Sequence, residues 1–89
     1  MAERLVRIAN KLGLHARAAA RFVQLAASFQ CEIKVARSGR EVNGKSIMGV
    51  MMLAAGQGSE IQIKTAGADE EEALQSLAEL VMSRFGEAQ

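Results

Sequence analysis

The segment EIKVARSGREV, at positions 32–42, decides how this chain folds. Apolar and charged residues alternate through Glu32–Ala36, a pattern typical of a strand with one buried and one exposed face. Ser38-Gly39 forms a two-residue turn of the kind that joins adjacent antiparallel strands. Arg40–Val42 is therefore predicted to pair back onto the preceding strand, and the hairpin indicates an antiparallel sheet.

Periodic patterns on both sides of the hairpin predict the other elements. Apolar residues recur every three or four positions from Ala16 to Phe29 and from Ala73 to Phe85, which indicates two amphipathic helices. The remaining patterns predict strands at Arg4–Ile8 and Glu60–Thr65, a short helix capped by Ser46 and running to Leu53, and an N-cap at Asp69 for a last helix that ends near Gly86.

The resulting order, β-α-β-β-α-β-α, predicts one α+β domain spanning residues 1–89. Each helix has one apolar stripe that must be buried. We therefore expect an open-faced β-sandwich, in which three helices cover one face of a four-stranded antiparallel sheet. The other face should contact water, because polar residues alternate with apolar ones in the strands.

The composition excludes several classes of function. The 89 residues contain 11 Lys and Arg against 10 Asp and Glu, and the only aromatic residues are 3 Phe. Neither a basic surplus nor a stacking surface is available for nucleic acid. The apolar run Ile47–Ala55 is shorter than the roughly 20 residues of a membrane span, and Met1–Asn10 lacks the apolar core of a signal peptide. We predict a cytoplasmic protein that binds neither nucleic acid nor membrane.

One cysteine and one histidine cannot provide the three or four Cys/His ligands of a structural zinc site. No metal and no cofactor are therefore predicted. Residues Gly39–Ser46 do match the phosphate-binding pattern G-x-x-x-x-G-K-[ST]. Nucleotide hydrolysis at such a loop also needs a buried parallel sheet and a second strand ending in an Asp that helps to hold magnesium. Because neither is predicted, we assign Arg40–Val42 to strand pairing instead.

His15 lies at or next to the N-cap of the first predicted helix. The amides of a first helical turn have no helical partners and lie at the positive end of the dipole, so they favour a phosphate. Arg17 can supply two further donors, and Gly13 permits a loop conformation that a larger residue would resist. This arrangement suggests phosphoryl transfer on the imidazole. A histidine that caps the helix or fills space is the alternative.

The motifs GLHAR at Gly13–Arg17, followed by an alanine-rich helix, and GKSIMG at Gly44–Gly49 resemble the HPr family, the histidine-containing phosphocarriers of the bacterial phosphotransferase system. The resemblance covers essentially the whole chain. It implies that His15 accepts on Nδ1 a phosphoryl group that enzyme I draws from phosphoenolpyruvate. His15 would then pass this group to enzyme IIA-type domains, with Arg17 stabilising its charge. The chain would be a carrier rather than an enzyme.

Ser46 has two predicted roles that are compatible with each other. Its hydroxyl can cap the short helix. The resemblance also implies that the Gly44-Lys45-Ser46-Ile47 context is a target of HPr kinase/phosphorylase, which would make Ser46 a regulatory phosphorylation site. A phosphate there adds about two negative charges and would repel an acidic donor protein.

The short helix has more apolar side chains than one buried face can use. Val50, Leu53 and Ala54 suffice to bury it, so some of its methionines should face outward and form an adaptable contact surface. With the resemblance, this predicts a docking patch made of Ala16, Ala20, Gln24, Ile47, Met48 and Met51. In the alternative interpretation, the methionines complete the core.

Two other classes of function stay open at this point. One is a regulatory partner of the same fold in which His15 is silent, although in that class the histidine is typically replaced. The other is an unrelated small-molecule-binding module, which would leave the GLHAR motif unexplained. A transient docking surface favours a monomer.

The sequence departs from the family pattern at Ala18, where the family usually has proline. Both residues are compatible with a first helical turn. We therefore expect the chemistry to survive, with a less rigid backbone at the site.

Overall fold

The hairpin predicted at the centre of the chain lies at one side of a four-stranded antiparallel sheet in the computed structural model, which describes residues 1–86. The sheet has the order β1-β4-β2-β3, and each neighbouring pair is antiparallel. Its strands are β1 (Ala2–Arg7), β2 (Glu32–Arg37), β3 (Arg40–Asn43) and β4 (Glu60–Ala66). The helices are α1 (Ala16–Ala27), α2 (Ile47–Met52) and α3 (Glu70–Met82), followed by a 3-10 turn at Arg84–Gly86. The predicted open-faced sandwich is confirmed.

Alternation along the strands separates a buried face from an open one. Val6, Ile33, Val35, Ile61 and Ile63 are buried, and the helices cover this face of the sheet. Polar side chains occupy most of the intervening positions, and Lys64 Nζ on β4 donates to Glu41 Oε2 on β3 at 2.8 Å. The open face is thus polar, as the alternation predicts.

Among residues 1–86, every helix lacks the length and apolar character that a membrane crossing requires.

Several element boundaries differ from the predicted ones. β1 covers Ala2–Arg7 because its register with β4 begins at the pair Ala2 and Thr65. Ile8 lies beyond its end, yet it is buried and its backbone bonds to the Gly58–Ser59 turn. α1 ends at Ala27, where Ser28 becomes the C-cap and its hydroxyl donates to the Leu25 carbonyl at 2.6 Å.

The segment Gly39–Ser46, which matches the phosphate-binding pattern, runs from the β2–β3 turn through β3 to the N-cap of α2. In β3, Arg40 pairs with Arg37 and Val42 with Val35, so the assignment of this segment to strand pairing is confirmed. Lys45, the lysine of the motif, donates from Nζ to the Phe29 carbonyl at 2.7 Å. It therefore links the segment that follows α1 to the start of α2.

The prediction that Phe85 continues the last helix is wrong. α3 ends at Met82, and Arg84 and Phe85 have φ values of 61° and 55°, which reverse the chain. Phe85 is still fully buried, because the 3-10 turn folds back onto the core. The Arg21 guanidinium donates to the Phe85 carbonyl, and this contact between distant residues was not visible in the periodicity.

Asp69 is at the N-cap position of α3, but its side chain does not cap that helix. Its two carboxylate oxygens accept hydrogen bonds from the Gln30 and Cys31 amides, each at 2.9 Å. The Gln30 amide contributes most to holding the pKa of Asp69 below its usual value. Asp69 thus joins the start of α3 to the segment that leads into β2.

We expect Asp69→Asn to lower the melting temperature at pH 7. We also expect the melting temperature of this variant to change less with pH than that of wild type. A depressed folded-state pKa stabilises the fold above the unfolded-state value of about 4, and this contribution is lost as the pH falls through the folded-state pKa. Melting curves between pH 7 and pH 3 measure the effect. The fall in melting temperature on acidification should be smaller in the variant than in wild type. It should not vanish, because the Gly67 amide also lowers the pKa of Glu70. Glu72→Gln, exposed on the same turn, is the control, and an acid dependence equal to that of the wild type would contradict the role of Asp69.

Candidate functional site

His15 is the N-cap residue of α1, as predicted. Its backbone is extended, with φ −77° and ψ 178°, and its carbonyl accepts the first helical hydrogen bond from the Ala19 amide at 2.8 Å. The side chain makes no capping hydrogen bond and is half-buried at the surface. The imidazole therefore neither caps its own helix nor fills the core.

A close backbone contact determines where α1 begins. Gly13 has φ +66°, and a Cβ at this position would lie 2.4 Å from the Ala55 carbonyl oxygen and 2.7 Å from Gly56 Cα. The next residue, Leu14, is buried and donates its amide to the same Ala55 carbonyl at 2.9 Å. The loop before His15 is thereby attached to the loop that follows α2.

Asn10 also supports this loop. Its Nδ2 donates to the Gly13 carbonyl at 2.8 Å, and the Gly13 amide donates to the Asn10 carbonyl at 3.2 Å. Asn10 is fully buried. Asn10 was not among the predicted site residues, although an asparagine at the start of a turn that ends in glycine is a recognisable signal.

The first turn of α1 provides an anion-binding environment. The amides of Ala16, Arg17 and Ala18 precede Ala19, the residue that donates to the His15 carbonyl, so they lie at the positive end of the helix. No acidic residue occurs in this turn, and Arg17 is exposed. These donors and this charge suit a phosphoryl group next to the ring.

Ser46 is the N-cap residue of α2, which confirms its structural role. Its Oγ accepts a hydrogen bond from the Gly49 amide at 3.2 Å, and its carbonyl accepts from the Val50 amide at 3.0 Å. A Cβ on Gly49 would lie 3.4 Å from both Ser46 Oγ and Val42 Cβ. The Ser46 side chain is half-buried, so solvent reaches part of it.

The outer face of α2 is apolar and exposed. Ile47 and Met51 are each 40% exposed and Met48 is 71% exposed, whereas Val50 is fully buried. The interpretation in which the methionines complete the core is therefore wrong. α2 packs against α1, on which Ala16 and Gln24 are exposed and Ala20 is half-buried.

Ala54, Met52 and Leu12 differ from what the sequence predicts for this region. Ala54 is exposed with φ +51°, and Ala55 takes the buried position instead, because the chain reverses at the end of α2. Met52, 61% exposed, and Leu12, 68% exposed, were not assigned to the docking patch. Their exposure depends on how α2 and the Asn10–Gly13 turn are placed, which periodicity does not show.

Two arginines of the hairpin hold the end of α2. Arg37 Nη1 donates to the Leu53 carbonyl at 3.0 Å, and Arg40 Nη1 donates to the Met52 carbonyl at 3.1 Å. Cations at a helix C-terminus are favourable because the carbonyls there are unpaired. A helix of six residues is thus anchored at both ends, by Ser46 and by the arginines.

We expect Ala18→Pro to raise the melting temperature by about 2–6 °C, which corresponds to the ~0.4–1 kcal/mol of a compatible proline in a domain of this size. Ala18 is fully buried in the first turn of α1, ahead of the first amide that bonds within the helix. A proline there removes no helical hydrogen bond. Thermal denaturation measures the change.

Ala20→Pro is the matched control for this variant, because position 20 lies inside the hydrogen-bonded part of α1 and a proline there breaks the helix. A lower melting temperature for Ala18→Pro would show that the first turn cannot accommodate the ring.

Comparisons with known proteins agree with the fold and the motifs. A family profile described as "PTS HPr component phosphorylation site" matches residues 2–83. Phosphocarrier protein HPr of Cupriavidus necator is 54% identical over 89 residues, covering 100% of both chains. The crystal structure of HPr-C-His from Thermoanaerobacter tengcongensis matches with a TM-score of 0.96 and 47% identity over 100% of both chains. A crystal structure of an HPr dimer from the same organism matches with a TM-score of 0.78 and 48% identity, over 98% of this chain and 100% of that one.

Proposed function

This chain belongs to the HPr family and is a phosphocarrier of the phosphotransferase system, not a catalyst in its own right, and on that premise we propose that His15 carries the phosphoryl group. The observation that supports this most directly is the position of the ring. It lies at the N-cap of α1 and is partly exposed, next to the amides of a first turn without acidic residues.

In the proposed reaction, Nδ1 of His15 attacks the phosphorus of phosphorylated enzyme I. The bond from phosphorus to the donor breaks as the new N–P bond forms. The first-turn amides of α1 then donate to the phosphoryl oxygens, and the same exchange with an enzyme IIA-type domain removes the group.

Arg17 is the proposed charge-stabilising companion of His15. Its side chain is exposed, so solvent screens its attraction for the phosphoryl oxygens. A screened guanidinium supports the phosphorylated state without trapping it, which is what a carrier between two proteins requires.

The proposed docking surface consists of Ala16, Ala20, Gln24, Ile47, Met48 and Met51, and we name it the docking patch. Enzyme I, enzyme IIA-type domains and HPr kinase/phosphorylase would bind here in turn, because flexible methionine side chains adapt to different partners. We propose that the chain acts as a monomer, since each partner must reach the same face. A dimer is the alternative, since a relative from T. tengcongensis has been crystallised as an HPr dimer.

Incubation with enzyme I and phosphoenolpyruvate tests the proposed function. We expect a phosphate that is labile in acid and stable in base, located on the peptide that contains His15. A regulatory partner with a silent histidine, or a small-molecule-binding module, would acquire none. The absence of this phosphate under conditions that phosphorylate another HPr would overturn the proposal.

We also propose that Ser46 is the target of HPr kinase/phosphorylase. Ser46 is half-buried at the start of α2, next to Ile47 of the docking patch, and its hydroxyl accepts a hydrogen bond from the Gly49 amide. A phosphate on this oxygen would add about two negative charges next to Ile47. Its main effect would fall on acidic partners that approach this face.

We expect Ser46→Asp to slow phosphorylation of His15 by enzyme I by at least about tenfold, through the repulsion of like charges at the interface. Initial rates at several salt concentrations measure the effect, which should weaken as ionic strength rises. Ser46→Asn is the matched control, because asparagine also caps helices and carries no charge. Equal rates for the Asp and Asn variants would contradict electrostatic control.

A further inference from the structure

All five methionines of this chain are exposed. Met1 is 83% exposed, Met48 71%, Met51 40%, Met52 61% and Met82 48%. Methionine commonly fills irregular gaps in protein cores. Here the buried apolar cluster consists of Ala, Val, Ile, Leu and Phe side chains with Cys31. Chemical change at any thioether therefore leaves the core packing intact.

Three of these methionines lie on one short helix. Met48 and Met51 belong to the docking patch, and Met52 follows them at the end of α2. The helix is held by Val50, which is fully buried, and by the bonds from Arg37 and Arg40 to its last carbonyls. None of these contacts uses a thioether, so the attachment of α2 is separate from the chemistry of its outer face.

We propose that Met48, Met51 and Met52 form an oxidation-sensitive modification site, whose conversion to methionine sulfoxide weakens docking of the phosphoryl donor. The inference rests on the proposed function of the docking patch. Hydrogen peroxide is the oxidant: its O–O bond breaks, one oxygen atom bonds to Sδ, and water carries away the other. Sulfur loses two electrons and peroxide gains them. Thiol-dependent reductases reverse the step, with two thiols becoming a disulfide and the oxygen leaving as water.

Oxidation changes the character of the patch. A thioether is apolar and flexible, whereas a sulfoxide is polar and chiral. A partner that covers the patch would have to remove water from two S=O groups within it, at Met48 and Met51, and from a third beside it at Met52. We expect the rate of phosphoryl transfer from enzyme I to fall about tenfold at a low concentration of this protein. A change of this size follows when the burial of one apolar side chain is lost.

Cys31 does not compete for the oxidant. It is 3% exposed, and its burial raises the pKa of its thiol, which keeps it protonated and unreactive. Peroxide at neutral pH should therefore react with the exposed methionines first. The mass of the peptide that contains Cys31 provides a check on this selectivity.

The test compares phosphorylation of the full chain by enzyme I and phosphoenolpyruvate before and after peroxide treatment, with peptide mass spectrometry counting the oxygen atoms added at each methionine. Wild type should lose about tenfold in rate, and methionine sulfoxide reductases of both epimer specificities should restore it. Met48→Leu/Met51→Leu/Met52→Leu keeps the side-chain volume and cannot be oxidised on α2, so peroxide should leave its own starting rate unchanged. Met82→Leu, distant in sequence from α2, should lose rate as wild type does.

Three results would overturn the inference: an unchanged wild-type rate after complete oxidation on α2, an equal loss in the triple variant, or a large fall in the melting temperature of the oxidised protein. Reversal by the reductases needs no variant, so the outcome does not depend on how the triple variant folds. A chain that takes up no phosphate before oxidation would refute the proposed function instead, which separates the two failures.

Discussion

His15→Ala will leave a folded protein that accepts no phosphoryl group from enzyme I. The ring is half-buried at the surface and lies outside the hydrophobic core. Its removal should therefore move the melting temperature by only a few degrees, since surface substitutions typically change stability by less than about 0.5 kcal/mol. The loss of phosphorylation should be complete, because no other histidine exists in the chain.

The measurement is the uptake of phosphate from phosphoenolpyruvate in the presence of enzyme I, with thermal denaturation of the same preparation. Arg17→Ala is the companion variant. It keeps the nucleophile and removes one source of charge stabilisation, so it should become phosphorylated more slowly and still yield an acid-labile product. Acid-labile phosphate on His15→Ala would show that another group is the acceptor and would refute the assignment.

Of the glycine and site substitutions proposed here, Gly13→Ala is expected to lower the melting temperature most. The new Cβ would lie 2.4 Å from the Ala55 carbonyl oxygen, at a backbone φ of +66° that side chains disfavour. Because the obstruction is backbone on both sides, the loop before α1 must move. Strain of about 3 kcal/mol corresponds to a fall of about 10–20 °C in melting temperature for a domain of this size.

Gly58→Ala is the matched control for Gly13→Ala. Gly58 has a φ of +87°, but a Cβ there meets nothing within 4 Å. The difference between the two variants therefore isolates the contact with Ala55 from the cost of the backbone conformation. We also expect slower phosphorylation of Gly13→Ala at temperatures where it is folded, because displacing Leu14 moves His15. Equal melting temperatures for the two variants would show that the loop before α1 can move away from Ala55 without a loss of stability.

Much of the candidate site could be predicted because its signals are local. A histidine before an alanine-rich helix, a serine before a short apolar helix, and more apolar residues than one face can bury are features of neighbouring residues. The structure accordingly has His15 and Ser46 at helix N-caps, and Met48 exposed. The chemical roles of these residues remain proposals that the experiments above address.

Other features could not be predicted from local patterns. Asp69 was assigned to its own helix, yet its carboxylate binds amides 38 and 39 positions away. Phe85 continues the apolar periodicity of α3, but the chain leaves the helix first and buries the ring from a 3-10 turn. In both cases a partner that is distant in sequence offered a better contact than the local one.

The amino-acid sequence by itself determined the order of the elements, the antiparallel hairpin and the position of His15 at the start of a helix. Turn propensity, alternation and capping act over a few residues, so they can be recognised without the fold. Only the tertiary structure decided that β1 pairs with β4, that Gly13 must be glycine because it contacts Ala55, and that Met52 and Leu12 are exposed beside the predicted patch. Those outcomes depend on how separate segments pack, since close approach and burial are properties of the assembled chain.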